Sequence, residues 1–239
     1  MLEPVHRSIV VLDIESSGRL DGPQKVAARS DLYRIISAAQ EAASIPSTTV
    51  TEEDRGDGVF LLIGADVSIR HIIDPFLTAI DAALHDRRVG DLRLRLRAVV
   101  HQGAVNADPK GSSGSAIDLA FAMVDAPQLR EALQQSPTGR MALVVSNDIY
   151  RDAIRGHDMP DPTSFRMRLL RTKYGEMRTY VTVTGTAEQP VAAPEPEPER
   201  PREGPPPGTM YNVSQRDNYG VNGSVGRDFV VGVPRPGEQ

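Results

Sequence analysis

Two aspartates in this sequence stand where carboxylates can share a metal ion. Asp13 follows the apolar run Ile9-Val10-Val11-Leu12 and comes just before Ser16-Ser17-Gly18. Asp57 lies in Arg55-Gly56-Asp57-Gly58, directly ahead of a second apolar run, Val59 to Ile63. Hard divalent cations such as Mg²⁺ take oxygen ligands, often one or two carboxylates completed by substrate phosphates. Two such ions ~3.5–4 Å apart can activate an attacking hydroxyl and steady a leaving phosphate. The backbone N–H groups of Glu15-Ser16-Ser17-Gly18 are candidates to receive phosphate oxygens. The plain alternative is that Asp13 caps a turn and Asp57 stabilises a Gly-Asp-Gly turn. Either residue alone fits that alternative better; the two together, on the right element order, fit a metal site better.

The elements that must position these residues alternate between two periods. The run ending at Asp13 and Ile14 reads as a buried strand. Gly18 and Gly22-Pro23 mark a turn, and Gln24 to Ala43 carries Val26, Leu32, Ile35, Ile36 and Ala39 at helical spacing. Thr48 to Thr51 is β-branched and strand-like. With the Gly56-Asp57-Gly58 turn and Val59 to Ile63, it predicts a β-hairpin. Ile69 to Leu84 is helical by pattern. Leu92, Leu94 and Leu96 alternate with Arg93, Arg95 and Arg97, which predicts a half-exposed strand from Leu92 to Val105 with a solvated arginine face. One helix is expected over Ser115 to Gln134, a strand over Ala142 to Ser146, a short helix over Asp148 to Arg155, and a closing strand pair over Phe165 to Leu170 and Met177 to Thr184. The opening order, β-α-β-β-α-β, is that of an α+β, ferredoxin-like antiparallel sheet with helices on one face. In that sheet the first strand and the hairpin lie side by side, so Asp13 and Asp57 converge.

On these residues the chain resembles the class III adenylate and guanylate cyclase catalytic domains. Val10 to Ser17 resembles their "DIEGS" opening, and Arg55-Gly56-Asp57-Gly58-Val59 their "GDG" motif. Leu94 to Gly103 looks like the family strand "R-x-G-(I/L)-H-x-G". Gly114 to Ala120 falls where the family has "G-x-x-V-N-x-A-x-R", and Gly175 to Tyr180 matches the end of the domain. Segments such as "EDRGDGV" are similar to a compact actinobacterial subgroup. The resemblance implies a homodimer with two-metal (Mg or Mn) chemistry: a nucleotide 3′-oxygen attacks the α-phosphate and pyrophosphate leaves. It implies metal ligands at Asp13, Asp57 and the Ile14 carbonyl, and nucleotide contacts at Ser16, Ser17, Gly18 and Glu53; the family's phosphate-binding lysine falls at or beside Tyr174, so Lys173 serves only with a one-residue shift. It implies that an asparagine and an arginine come from the partner subunit, but those positions are Asp118 and Ala122 here. An alanine cannot stabilise charge at phosphorus, and losing one preorganised donor costs ~10²–10³ in rate. Asp118 adds repulsion toward a triphosphate. Arg130 and Arg97 are the available replacements. Glu53, four residues before Asp57, stands where guanylate cyclases have a glutamate, which favours GTP weakly over ATP. Its usual partner position, near Gly111, has no side chain.

Composition bounds the rest. The 239 residues have no cysteine, so thiolate metal sites and disulfides are excluded. The net charge of -5 argues against a nucleic-acid binder. No signal peptide and no membrane span is legible, so a cytoplasmic protein is expected. There is no H-E-x-x-H or G-x-S-x-G context for a metalloprotease or serine hydrolase. Residues 1–184 form the cyclase-like domain. Residues 185–209, rich in Pro and Glu, read as a disordered linker. Residues 210–239 form a Gly/Asn-rich, β-prone tail in which Asn222-Gly223 is a hairpin signal. Residues 210–232 resemble, loosely, bacterial amyloid-signalling motifs that contact a signalling partner; a disordered tail or a docked hairpin is the alternative. The residues support three readings: a degenerate nucleotide-binding signalling module, an active guanylate or adenylate cyclase, and a dimerisation scaffold displaying the tail. The altered Asp118 and Ala122 favour the first over the second. The retained Asp13, Asp57 and Glu53 favour either over the third.

Overall fold

The computed structural model describes residues 3–108, 111–158 and 160–186. These belong to the first of two units, Met1–Pro194. The segments expected as linker and tail lie outside the described residues from 187 onward.

The first strand, β1 (Val5–Ile14), is buried over most of its length. Because both faces are covered, it reads as a continuous apolar run rather than an alternation. Helix α1 (Gly22–Ala42) starts at a capping box: Asp21 accepts from the Gln24 N–H, and the Gln24 side chain accepts from the Asp21 N–H. Strands β2 (Val50–Asp54) and β3 (Gly58–Ile63) form the expected hairpin. The single turn α2 (Ile69–His71) leads irregularly into α3 (Leu77–Leu84). The continuous helix expected there is interrupted at Asp74, which is extended (φ −153°) because it precedes Pro75. A separate ribbon of β4 (Arg88–Val89) and β5 (Leu92–Arg93) takes the start of the expected Leu92 strand. The long strand β6 (Leu96–Asp108) carries the rest and pairs at its end with β7 (Gly111–Ser113).

The helix expected over 115–134 is two helices, α4 (Ser115–Val124) and α5 (Pro127–Gln134). Pro127 opens α5 and pushes Ala126 into an extended conformation. Strand β8 (Met141–Ser146), the short α6 (Asn147–Ile149), and the hairpin of β9 (Arg166–Thr172) and β10 (Gly175–Thr184) complete the fold.

The main sheet runs β2-β3-β1-β6-β8-β10-β9. All neighbours are antiparallel except β6 and β8. Its first four strands, with α1 and α2–α3, are the expected βαββαβ unit. One face packs Leu12, Leu61, Leu32, Ile36, Phe76 and Ile80 beneath α1 and α3. The other face is covered too, by α4 and α5, around Ile9, Val11, Phe60, Met123 and Leu129. Helices therefore occupy both faces, because α4 and α5 extend beyond the ferredoxin-like unit. Side chains alternate along a strand, so Asp13 shares the α4–α5 face with Ile9 and Val11. Among the described residues, no helix is long and apolar enough to cross a membrane.

Candidate functional site

Strand register brings the two aspartates together. Asp13 of β1 lies directly opposite Gly58 of β3. The Ile14 N–H donates to the Asp57 carbonyl at 3.0 Å. Both carboxylates therefore sit at one end of two adjacent strands. The Gly-Asp-Gly turn is built for this approach. Gly56 adopts φ +83°, a left-handed conformation that costs other residues ~1–2 kcal/mol. A Cβ on Gly58 would lie 2.6 Å from the Leu12 carbonyl oxygen, so only glycine lets β3 pass this close to β1. The Ser17 hydroxyl donates to Asp57 Oδ2 at 2.6 Å, which ties the Ser16–Gly18 turn to the second aspartate. That turn closes through the Arg19 N–H on the Ser16 carbonyl, and Ser16 itself is left-handed.

Asp13 already has a cation. Arg97, opposite it on β6, donates to Asp13 Oδ2 at 2.5 Å and to the Val124 carbonyl at 3.1 Å. Burial nevertheless outweighs this guanidinium and pushes the Asp13 carboxyl up to about 6, with Asp57 and Asp125 acting in the same direction. The expected solvated arginine face is thus overturned at two of its three members. Arg97 is only 9% exposed. Arg95 donates to the carbonyls of Leu133 and Ser136 and lies 3.7 Å from Glu15. The physical reason is that α4 and α5 end over this part of β6. Their last carbonyls have no partners within the helix, and cations are favoured there. Arg93 alone stays exposed.

A cavity of about 280 Å³ opens between Glu15, the Ser16–Gly18 turn, Asp57, Arg97 and Arg130. The oxygen donors beside it suit Mg²⁺ or Mn²⁺. Asp13 and Asp57 supply carboxylates. The Leu96 N–H, opposite Ile14, donates to the Arg140 carbonyl, so it does not claim the Ile14 carbonyl. Among the described residues no group of three or more His, Cys, Asp or Glu side chains is placed to hold a metal. Two carboxylates with phosphate oxygens completing the shell is a normal arrangement for magnesium.

The other expected site residues divide. Glu53 sits beside Gly111: a Cβ there would lie 3.8 Å from Glu53 Oε2. Its carboxylate meets Arg55 at 3.5 Å, and that guanidinium lies over the rings of Phe60 and Phe121, 4.9 and 5.0 Å from their centroids. Asp118 is exposed on α4, six residues before the Val124 carbonyl that holds Arg97, or ~9 Å along the helix. Ala122 is buried. Lys173 lies far off. The row through Asp13 runs across Arg97 and Ala142 to Val183. Lys173 belongs to the turn preceding Gly175, so at ~3.3 Å per residue it is more than about 25 Å away along β10. One chain does not bring Lys173 to its own aspartates. In the sequence, Arg97 and Arg130 are arginines that could replace the missing one, and nothing in it singles either out. The contact of Arg97 with Asp13, and the place of Arg130 on the cavity that Asp57 lines, have no local signal.

No family model matches the sequence, and no curated protein matches it. Solved structures share its fold. The guanylate cyclase domain of RhGC from Catenaria anguillulae, in complex with GTP, superposes with a TM-score of 0.55 at 17% identity, covering 78% of this chain and 100% of that one. An adenylate/guanylate cyclase/hydrolase from Silicibacter pomeroyi gives 0.54 at 17% identity, covering 75% and 97%. The non-canonical dimeric guanylyl cyclase domain of the RhoGC fusion protein from the aquatic fungus Blastocladiella emersonii gives 0.52 at 17% identity, covering 77% and 96%. At this identity the likeness establishes the fold.

Proposed function

We propose that this domain binds a purine nucleoside triphosphate with Mg²⁺ or Mn²⁺ and acts as a degenerate, regulatory member of the nucleotide-cyclase fold. The observation that carries the reading is the register of Asp13 against Gly58, which sets two carboxylates at one strand end, with Asp57 on the border of a cavity that Glu15, Arg97 and Arg130 also line. When bound, the metal supplies charge that neutralises phosphate oxygens. Asp13, Asp57 and the Ile14 carbonyl hold it. The Ser16–Gly18 turn faces the phosphates. Glu53 beside Gly111 favours guanine, whose N1–H and N2–H₂ a carboxylate accepts.

Slow or absent turnover follows from the second half of the site. Ala122 offers no charge to a pentavalent phosphorus, and Asp118 opposes one. Lys173, if it contributes, does so from a second copy in a homodimer. Residues 210–232, outside the described residues, are the proposed contact to a signalling partner.

The test is a purified full chain offered each nucleoside triphosphate with Mn²⁺ or Mg²⁺. The expected outcome is a metal-dependent thermal shift, larger for GTP than ATP, with no cyclic product. Asp57→Asn abolishes the shift. Cyclic product that disappears in Asp57→Ala would replace this reading with an active cyclase. No shift with any nucleotide would leave the scaffold reading.

A further inference from the structure

The 280 Å³ cavity at Asp57 is bordered by two guanidinium groups in different states. Arg97 is engaged: it bridges Asp13 and the Val124 carbonyl. Arg130 makes no side-chain hydrogen bond or ion pair among the described residues. Arg29, Arg34, Arg55, Arg95 and Arg140 are paired, whereas Arg130 shares its state with exposed arginines such as Arg93 and Arg178 and differs from those two in bordering this cavity. Helix α5 sets Arg130 there by its periodicity. Leu129 and Leu133 are fully buried against the sheet. Arg130 and Gln134, one turn apart on the adjoining flank, both border the cavity. A guanidinium with no partner among the described residues, bordering the same cavity as Glu15, Asp57 and the Ser16–Gly18 turn, is available to an anion brought in with a metal ion. Its planar fork matches two non-bridging phosphate oxygens.

We propose that Arg130 is the phosphate-anchoring residue of this site, contributed by the same chain that contributes Asp13 and Asp57. The inference rests on the metal–nucleotide reading above and adds to it that phosphate binding is complete within one chain. The ligand class is a metal-bound polyphosphate.

The experiment is calorimetric titration of the full-length protein with inorganic tripolyphosphate, and separately with GTP, each with Mn²⁺. Arg130→Ala should weaken both by roughly 10- to 100-fold, the range for a hydrogen bond to a charged group. Arg130→Lys should recover only part of the loss, because it keeps the charge without the fork. The exposed position leaves the melting temperature of both variants unchanged, so a loss of binding is not a loss of fold. If wild type binds in an Asp57-dependent way and Arg130→Ala binds equally well, this inference fails and the nucleotide reading stands. If Arg130→Ala weakens GTP but not tripolyphosphate, the residue contacts the nucleoside and the phosphate assignment is overturned. If wild type binds neither probe, the nucleotide reading itself fails and takes this one with it.

Discussion

Arg97 does for Asp13 what a metal ion would do. It places a positive charge on a carboxylate that burial drives toward protonation, and its second arm satisfies the Val124 carbonyl at the end of α4. Both partners are mostly buried, with side chains 11% and 16% exposed. Removing one member of such a pair leaves an uncompensated charge. Arg97→Ala should therefore destabilise the metal-free protein by about 3 kcal/mol, the low end of the range for breaking a buried pair. Saturating Mn²⁺ should recover more stability in the variant than in wild type, since the ion replaces the missing cation. Urea unfolding with and without Mn²⁺ checks both statements. Equal stability of variant and wild type in chelator would show that Asp13 does not depend on Arg97.

The elements carry the site through register and through their ends. Antiparallel pairing of β1 with β3 determines which residue of the hairpin meets Asp13, and the two glycines allow the approach. The ends of α4 and α5 supply the carbonyls that draw Arg95 and Arg97 inward. Strand β6 also carries His101, opposite Ile9, whose Nδ1 is buried without a partner among the described residues. Burial lowers its pKa below the ordinary 6.5. A depressed folded pKa means the unfolded chain binds more protons below pH 6.5, so His101 contributes stability above that pH that is lost as pH falls through the folded value. Asp13 acts in the opposite sense: its raised pKa makes the folded state the better proton acceptor between about 4 and 6. The comparison of wild type with His101→Gln separates the two. Melting temperatures measured from about pH 7.5 to 5 should fall less steeply in the variant. Parallel slopes would mean that His101 is not held neutral by the fold.

Across the whole domain, the aspartates and Lys173 occupy opposite ends of the sheet. A site that used all of them would need two copies arranged head to tail. A site anchored by Arg130 needs one. Lys173→Ala should therefore leave Mn–GTP affinity within about twofold of wild type at protein concentrations where the chain is monomeric. Titrations at low and high protein concentration decide the point. A large loss at low concentration would mean that a single chain reaches its own Lys173, contrary to the strand register.

The local features are legible in the amino-acid order alone. The buried run ending at Asp13, the Gly56-Asp57-Gly58 turn, the β-α-β-β-α-β order and the break in composition after Val183 all depend on neighbours along the chain. Backbone strain, capping and periodicity act over a few residues. The broken helices are less legible, although Pro75 and Pro127 are the available signal. The tertiary structure alone decided the charges around the aspartates. Asp13 and Arg97 are 84 residues apart, and Arg130 reaches the cavity only because α5 packs on β8 and β6. An alternating Leu-Arg strand looks the same from sequence whether its arginines face water or the ends of two helices. Which they meet is set by helices on a different part of the chain. The sequence by itself thus determined that two carboxylates converge. The packed fold determined that one already holds a cation and that the other shares a cavity with a guanidinium that has no partner among the described residues.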